Sequence, residues 1–465
     1  MHQRLTRRTV AASTIAAALA AGGVRSISAQ ATPEASPIAG LPDTPAGQQL
    51  AWFVGVINGD LPMPDKVAIE THFDASFLAA VPPDQVLGLI SQLQDVTAPI
   101  TFERVLDEPS DLQLTALFLG RDGTYAGITI TVDGEQEHRI LGLFLSPISD
   151  ATPVVPVLSG WDDLEAVLAA AGPNYGISAN EIAEDGTLTQ LHGVNADLSL
   201  PIGSAFKFYV LAPLAERIAA GTSTWEQELV ITGAVKSFPS GVTQLEPDGG
   251  KIAIKELATR MISISDNTAT DMLLEHVGRD ACEAALTMLG NSAPEKSLPF
   301  LKTREMFTFK LSGDADRLAR YANGDEPTRR EILEAMAGEA LPPLDSAANW
   351  TKPIAIDTIE WFASMADLGR AMVWLWNESD KPGLTELKEV LTKNPGVPNN
   401  AEVWKTVAYK GGSEPGVIAL SWLLERVDGR RFHFACAVNN PASVLDEETI
   451  VYTAAAAMDL LAKVS

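Results

Sequence analysis

The pattern of apolar and polar positions changes period along this chain. Residues 44–58 place Leu50, Trp52, Phe53 and Val56 on one side of a helical wheel, which predicts an amphipathic helix. Residues 65–73 predict a second. A third follows Pro82-Pro83, with Asp84 near its start and Val86, Leu87, Leu89, Ile90 and Leu93 as its buried set. The spacing then becomes two-fold: 101–106, 111–120, 124–132 and 139–146 read as strands, turned at Arg121-Asp122-Gly123 and Asp133-Gly134. Helices followed by an antiparallel sheet predict a small α+β domain over residues 42–147.

Residues 148–160, with Pro153 and Pro156, read as a linker to a second domain, 161–465. There a helix at 161–171 precedes two strands, 175–183 and 188–194, joined across Glu184-Asp185-Gly186. Helical patterns follow at 201–211, 254–264 and 268–277. Residues 278–403 are mostly helical, broken at 294–299, 342–343 and 395–398. A strand at 404–409 ends in Lys410-Gly411-Gly412-Ser413. Strands 416–426 and 431–438 form a hairpin across Asp428-Gly429, and a helix at 447–464 closes the chain. Two early strands and three late ones predict one antiparallel sheet built by both ends of this domain.

Composition narrows the function classes. Hydrophobic residues make up 46% of 465 residues, enough to fill two cores. Sixty acidic against 34 basic residues, a formal charge of −26, argue against nucleic acid as a partner and fit either a soluble protein in the open or a binder of uncharged or zwitterionic small molecules, without choosing between them. No later run approaches the roughly 18 apolar residues of a membrane span. Residues 1–31 read as an export signal, with Arg4, Arg7 and Arg8 before an apolar run and Ala29-Gln30-Ala31 as a small-x-small cleavage site. Thr6-Arg7-Arg8-Thr9-Val10 resembles a twin-arginine signal, the alternative being an ordinary secretory one; either predicts a periplasmic or extracellular protein. Residues 32–41 read as a flexible linker. Two cysteines, Cys282 and Cys436, make no disulfide framework and read as buried thiols. No metal-ligand spacing, phosphate loop or dinucleotide fingerprint is present, so neither metal nor cofactor is expected. Oligomeric state is not legible.

The candidate chemistry begins at Ser204. Lys207, three positions on, shares its helical face. A serine hydroxyl becomes a nucleophile when a neighbouring base takes its proton, and a lysine is such a base when burial holds it partly neutral. Phe206, Phe208, Tyr209, Val210 and Leu211 supply apolar surroundings, and Pro201 and Gly203 put Ser204 at the helix start, where free N–H groups favour developing negative charge. The competing reading is a capping serine and a lysine reaching for water.

Two downstream motifs favour the first reading. Ser204-x-x-Lys207, Ser265-Asp266-Asn267 and Lys410-Gly411-Gly412 resemble, in order and context, the three motifs of class A β-lactamases and penicillin-binding proteins. The resemblance runs from Trp161 to the C-terminus. It implies a β-lactamase-like α/β/α sandwich with an antiparallel sheet and a helical subdomain. It also implies acyl-enzyme chemistry: Ser204 attacks, Lys207 takes its proton, and Ser265 links Lys207 to Lys410. Asn267 binds the substrate amide and helps hold Lys207, while Lys410 attracts a carboxylate. The backbone N–H groups of Ser204 and Ser413, beside Gly412, form the oxyanion hole. Two departures stand out. Gly411 replaces the usual threonine or serine, with Ser413 as the candidate to compensate. The deacylating glutamate of class A enzymes has one counterpart in range, Glu305, in Lys302-Thr303-Arg304-Glu305-Met306-Phe307; an exposed, salt-bridged glutamate at a helix start is the alternative. By element order the first domain resembles the cystatin-like or ketosteroid-isomerase-like domains. The two-domain layout resembles the esterase-like proteins associated with clavulanic-acid biosynthesis. The expectation is an exported serine hydrolase acting on a β-lactam, an ester or a peptidoglycan-like amide. The alternatives are a D,D-peptidase and a binding protein without turnover.

Overall fold

The computed structural model describes residues 38–106, 110–121, 123–134, 137–148, 156–342, 350–397 and 400–464. The expected signal and its cleavage site lie outside these residues, as do parts of both linkers. The chain divides into two compact units, residues 1–153 with 343–349, and the remainder.

In the first unit α1 (Pro45–Asn58) starts on Thr44, whose hydroxyl accepts from Gly47 N, and stops at Gly59 with φ 77°. Asp65 caps α2 (Lys66–His72), and a short α3 (Ala75–Ala80) that the pattern did not reveal precedes α4 (Pro83–Val96). Then β1 (Ile100–Val105), β2 (Gln113–Gly120), β3 (Tyr125–Val132) and β4 (Ile140–Ile148) form an antiparallel meander in chain order. Leu50, Phe53, Ile69, Phe73, Leu114, Phe118 and Ile130 fill its core. In α4 Val86 and Ile90 alone of the five expected positions are fully buried; Leu87, Leu89 and Leu93 sit at the margin, because five apolar positions span more of a wheel than one contact face covers.

The second unit opens with α5 (Trp161–Ala171), β5 (Asn174–Ile182) and β6 (Leu188–Val194). A two-residue strand, β7 (Leu200–Pro201), leads into a 3₁₀ turn at Gly203–Lys207 and then α6 (Phe208–Ala219). A helical region follows a small ribbon of β8 (Glu228–Val230) and β9 (Lys251–Ala253): α7 (Ile254–Ser263), α8 (Asn267–Val277), α9 (Arg279–Met288), α10 (Thr303–Leu311), α11 (Ala315–Asn323) and α12 (Glu326–Met336). After β10 (Phe362–Ala363), which pairs with β7, come α13 (Met365–Glu378) and α14 (Glu386–Thr392). The chain returns as β11 (Trp404–Glu414), β12 (Val417–Arg426), β13 (Arg431–Asn439) and α15 (Glu447–Ala462).

The five long strands form one antiparallel sheet ordered β11-β12-β13-β5-β6, so β11 is an edge. Both faces are covered, and the two-residue period of β12 sorts its side chains between them. Ile418, Leu420, Trp422 and Leu424 face a core shared with α5 and α15; Ala419 and Leu423 face the core of α6 and α13. Cys282 lies in one core and Cys436 in the other, both as free thiols, which excludes a bond between them. One boundary differs from expectation. Lys410 to Ser413 lie inside β11 rather than beyond it, because Gly411 and Gly412 keep the backbone groups that pair with Leu420 and Ala419.

Candidate active site

Ser204 and Lys207 sit on the 3₁₀ turn that precedes α6, not on the α-helix itself. In a 3₁₀ turn positions i and i+3 eclipse, so the turn aligns the pair more closely than an α-helix would. Apolar neighbours bury Lys207 completely, with Phe206 stacked on Trp361 beside it. Its Nζ donates to Ser265 O at 2.6 Å, Ser265 Oγ at 3.0 Å and Asn267 Oδ1 at 2.8 Å. Ser204 Oγ is not among these partners. Desolvation, reinforced by the Lys410 charge, pushes Lys207 well below the usual lysine range, against the pull of Asp266 and Asp271.

The second motif is built to present Ser265. Asp266 caps α8 by accepting from Ala269 N, and its other oxygen accepts from Val242 N and Thr243 N, all at 2.8 Å. Gly241 closes this turn at φ 101°; a Cβ there would stand 2.2 Å from Asp266 Cγ. Ser265 itself holds φ 56°, a left-handed conformation that costs about 1–3 kcal/mol in a non-glycine residue. That conformation turns both its carbonyl and its hydroxyl toward Lys207. Lys410 Nζ reaches the same hydroxyl at 3.1 Å, so Ser265 Oγ bridges the two lysines. Burial lowers Lys410 to about 7. Asn267 is 2% exposed, and its amide is committed to Lys207 on one side and to Phe238 O, 3.2 Å away, on the other. Its oxygen is therefore seated with Lys207, and one amide N–H remains for the expected contact with a substrate amide.

The third motif packs against the turn. A Cβ on Gly412 would lie 2.2 Å from Ser204 N, and one on Gly203 would lie 3.0 Å from Ser413 N. Only two glycines facing each other allow the edge strand this close, and the contact brings the two expected oxyanion donors together. The space that a side chain at 411 would need is taken: its Cβ would fall 2.1 Å from the Tyr409 hydroxyl. The Ser413 hydroxyl hydrogen-bonds Glu447, a carboxyl that burial pushes up. Tyr409 was missed in the sequence because no motif marks a tyrosine two residues before a glycine.

Glu305 is not part of this cluster. Both its oxygens bind the Arg279 guanidinium, Oε1 at 2.6 Å and Oε2 at 3.1 Å, and Oε2 also accepts from Lys302 N at the start of α10. The alternative holds for the salt bridge but not for exposure, since Glu305 is 8% exposed. No group of three or more metal-ligating side chains occurs among the described residues.

Residues 161–338 match the profile of the "Beta-lactamase enzyme family", and residues 41–137 match one described as "ORF 12 gene product N-terminal". Beta-lactamase VEB-1 of Pseudomonas aeruginosa is 27% identical over 117 residues, which are 25% of this chain and 38% of that protein; the chain thus spans about two fifths of that relative's length. Among solved structures, a β-lactamase from Sphaerobacter thermophilus aligns with 21% identity over 65% of this chain and 97% of its own, at a TM-score of 0.43. PBP-A in an acyl-enzyme complex with penicillin G aligns with 15% identity over 67% and 100%, at 0.43. Lys410 lies beyond the matched span and joins its residues through the fold. On the strength of the 161–338 match, the segment that carries Ser204, Lys207, Ser265 and Asn267 is β-lactamase-like.

Proposed function

We propose that the protein is an exported serine hydrolase that works through an acyl-enzyme on Ser204. The observation that carries this reading is the chain Lys207–Ser265–Lys410, two buried amines held on one hydroxyl beside the nucleophile. A neutral Lys207 has two N–H groups and a lone pair. Loss of one proton gives up the third contact, to Ser265 Oγ; the two remaining donors satisfy Ser265 O and Asn267 Oδ1, which leaves the lone pair for an incoming hydroxyl proton. Ser265 then passes a proton between Lys207 and the leaving group, with Lys410 on its far side. A tetrahedral oxyanion lodges between Ser204 N–H and Ser413 N–H. Lys410 draws a substrate carboxylate.

β-Lactams are the substrate class we favour, in keeping with the family matched by residues 161–338 and with the relative named as a β-lactamase. Activated esters are the second substrate class, because Gly411 supplies no hydroxyl for a carboxylate. The esterase-like, clavulanic-acid-associated type and a cystatin-like or ketosteroid-isomerase-like first domain belong to this same reading. With Glu305 tied to Arg279, acylation is fast and release slow. Mass spectrometry after incubation with penicillin, with a neutral activated ester and with a fluorophosphonate tests the proposal. One adduct per chain on the peptide holding Ser204 is expected; adducts elsewhere, or none with any reagent, would refute it.

A further inference from the structure

A second buried ionic cluster lies on the other side of the Ser204 turn, and the acyl-enzyme scheme does not use it. Lys310 of α10 and Glu360 have fully buried side chains, and that of Glu414, the last residue of β11, is 3% exposed. Lys310 Nζ donates to Glu414 Oε1, lies 3.7 Å from Glu360 Oε1 and sits 5.6 Å from the centre of the Trp350 ring. Trp361 N donates to Glu360 Oε2 at 2.9 Å, and the Gly203 N–H faces the same carboxyl. The two carboxyl groups contact each other, yet Glu360 Oε1 and Glu414 Oε2 have no donor among the described residues.

Two buried carboxylates and one ammonium would leave a net negative charge away from solvent, with one oxygen of each carboxyl lacking a donor among the described residues. Desolvation makes that arrangement costly. A single proton between Glu360 and Glu414 satisfies both oxygens, balances Lys310 and leaves one carboxylate for it. Position matters as much as charge. Glu360 faces the N–H immediately before Ser204, and Glu414 immediately follows Ser413. The pair therefore joins the two backbone segments that carry the proposed oxyanion donors, next to the contact of Gly203 with Gly412.

We propose that Glu360 and Glu414 share one proton above Lys310, and that this carboxyl–carboxylate clamp sets the spacing of Ser204 N–H and Ser413 N–H. Both glutamates are positioning residues, since neither reaches the reacting atoms. The role in oxyanion binding rests on the Ser204 reading; the shared proton does not. The groups facing the pair are Lys310 from α10, the Gly203 and Trp361 N–H groups, and each carboxyl itself. Burial pushes both carboxyls up. Between the ordinary carboxylate range and the raised one, the folded protein holds more protons than the unfolded chain, so stability falls as pH rises through that window.

The test has two arms on the full chain. In the first, denaturant unfolding of the second unit is followed across pH 5–9. The stability of the wild type relative to Glu414→Gln, which supplies the hydrogen bond without a titrating proton, should fall as pH rises, the lowered lysines acting equally in both. An unchanged slope in Glu414→Gln overturns the shared proton. In the second, the rate of Ser204 labelling by a fluorophosphonate is measured for wild type, Glu414→Ala and Glu414→Gln. Labelling should slow at least tenfold in the alanine variant, with Glu414→Gln recovering most of that loss. A folded Glu414→Ala that labels at the wild-type rate overturns the clamp while leaving the Ser204 reading intact. No Ser204 labelling in the wild type would overturn that reading, and the oxyanion role with it. If Glu414→Ala does not fold, Glu360→Ala replaces it with Glu360→Gln as its recovering variant, and a folded Glu360→Ala that labels at the wild-type rate is the refuting result.

Discussion

At the residue scale, the site depends on side chains whose ordinary charge burial has altered. Lys207 has no water to pay for its ammonium form, and Lys410 is lowered to about 7 by the same cause. Their proposed roles need opposite states: Lys207 must be neutral to accept a proton, and Lys410 must be charged to attract a carboxylate. For an anionic β-lactam, acylation should therefore decline as pH rises through about 7, while for a neutral ester it should not; kcat/KM profiles for the two substrates check this. The lowered lysines also give a sign for stability. Between about 7 and the ordinary 10.5 the unfolded chain binds the extra proton, so Lys410 alone makes stability rise with pH over that interval. Ser204→Ala should abolish covalent labelling and leave the circular dichroism spectrum unchanged, since its hydroxyl makes no contact the fold depends on. Glu305 belongs to a different role. Glu305→Gln removes the charge that Arg279 needs and should cost roughly 1.5–3 kcal/mol of stability. It should change steady turnover less than tenfold, about 1.4 kcal/mol of barrier. Denaturant unfolding and penicillin turnover measured on one preparation separate the two effects.

At the scale of elements, the decisive contact is backbone to backbone, between β11 and the 3₁₀ turn. Gly412→Ala places a methyl group 2.2 Å from Ser204 N, where no flexible side chain can yield. The strand must retreat, and a shift of this kind separates the two oxyanion donors. Acylation should fall by about 10²–10³, the loss associated with one oxyanion donor, while the protein stays folded; stopped-flow acylation with penicillin reads it directly. The three strands β11, β12 and β13 were legible because alternation and the Asp428-Gly429 turn are local signals. The short pieces were not. β7 and β10 are two residues each, and their pairing of Pro201 with Phe362 is a long-range contact that leaves no period in the sequence.

For the whole molecule, the chain forms two units with separate cores. Phe53 has no exposed surface in the first unit, and Phe53→Ala should lower the unfolding free energy of that unit by about 3–5 kcal/mol, seen as a shift of one calorimetric transition. In the second unit both ends of the segment build one sheet. This explains how Lys207 and Lys410, far apart in the chain, converge on the Ser265 hydroxyl.

The sequence by itself determined the two-unit order, the nature and rough bounds of most long elements, and three motifs whose residues are Ser204, Lys207, Ser265 and Lys410. These are encoded locally, by periodicity, turn residues and fixed spacing. Tertiary structure decided what those residues can do. It seated Asn267 against Lys207, turned Ser413 to Glu447, put the Tyr409 hydroxyl over Gly411 and bound Glu305 to Arg279. It also joined Lys310, Glu360 and Glu414 beneath the Ser204 turn, three residues that no motif connects. Burial and partnership are sums over distant parts of the chain, and they set the charge of a group that the sequence can only name.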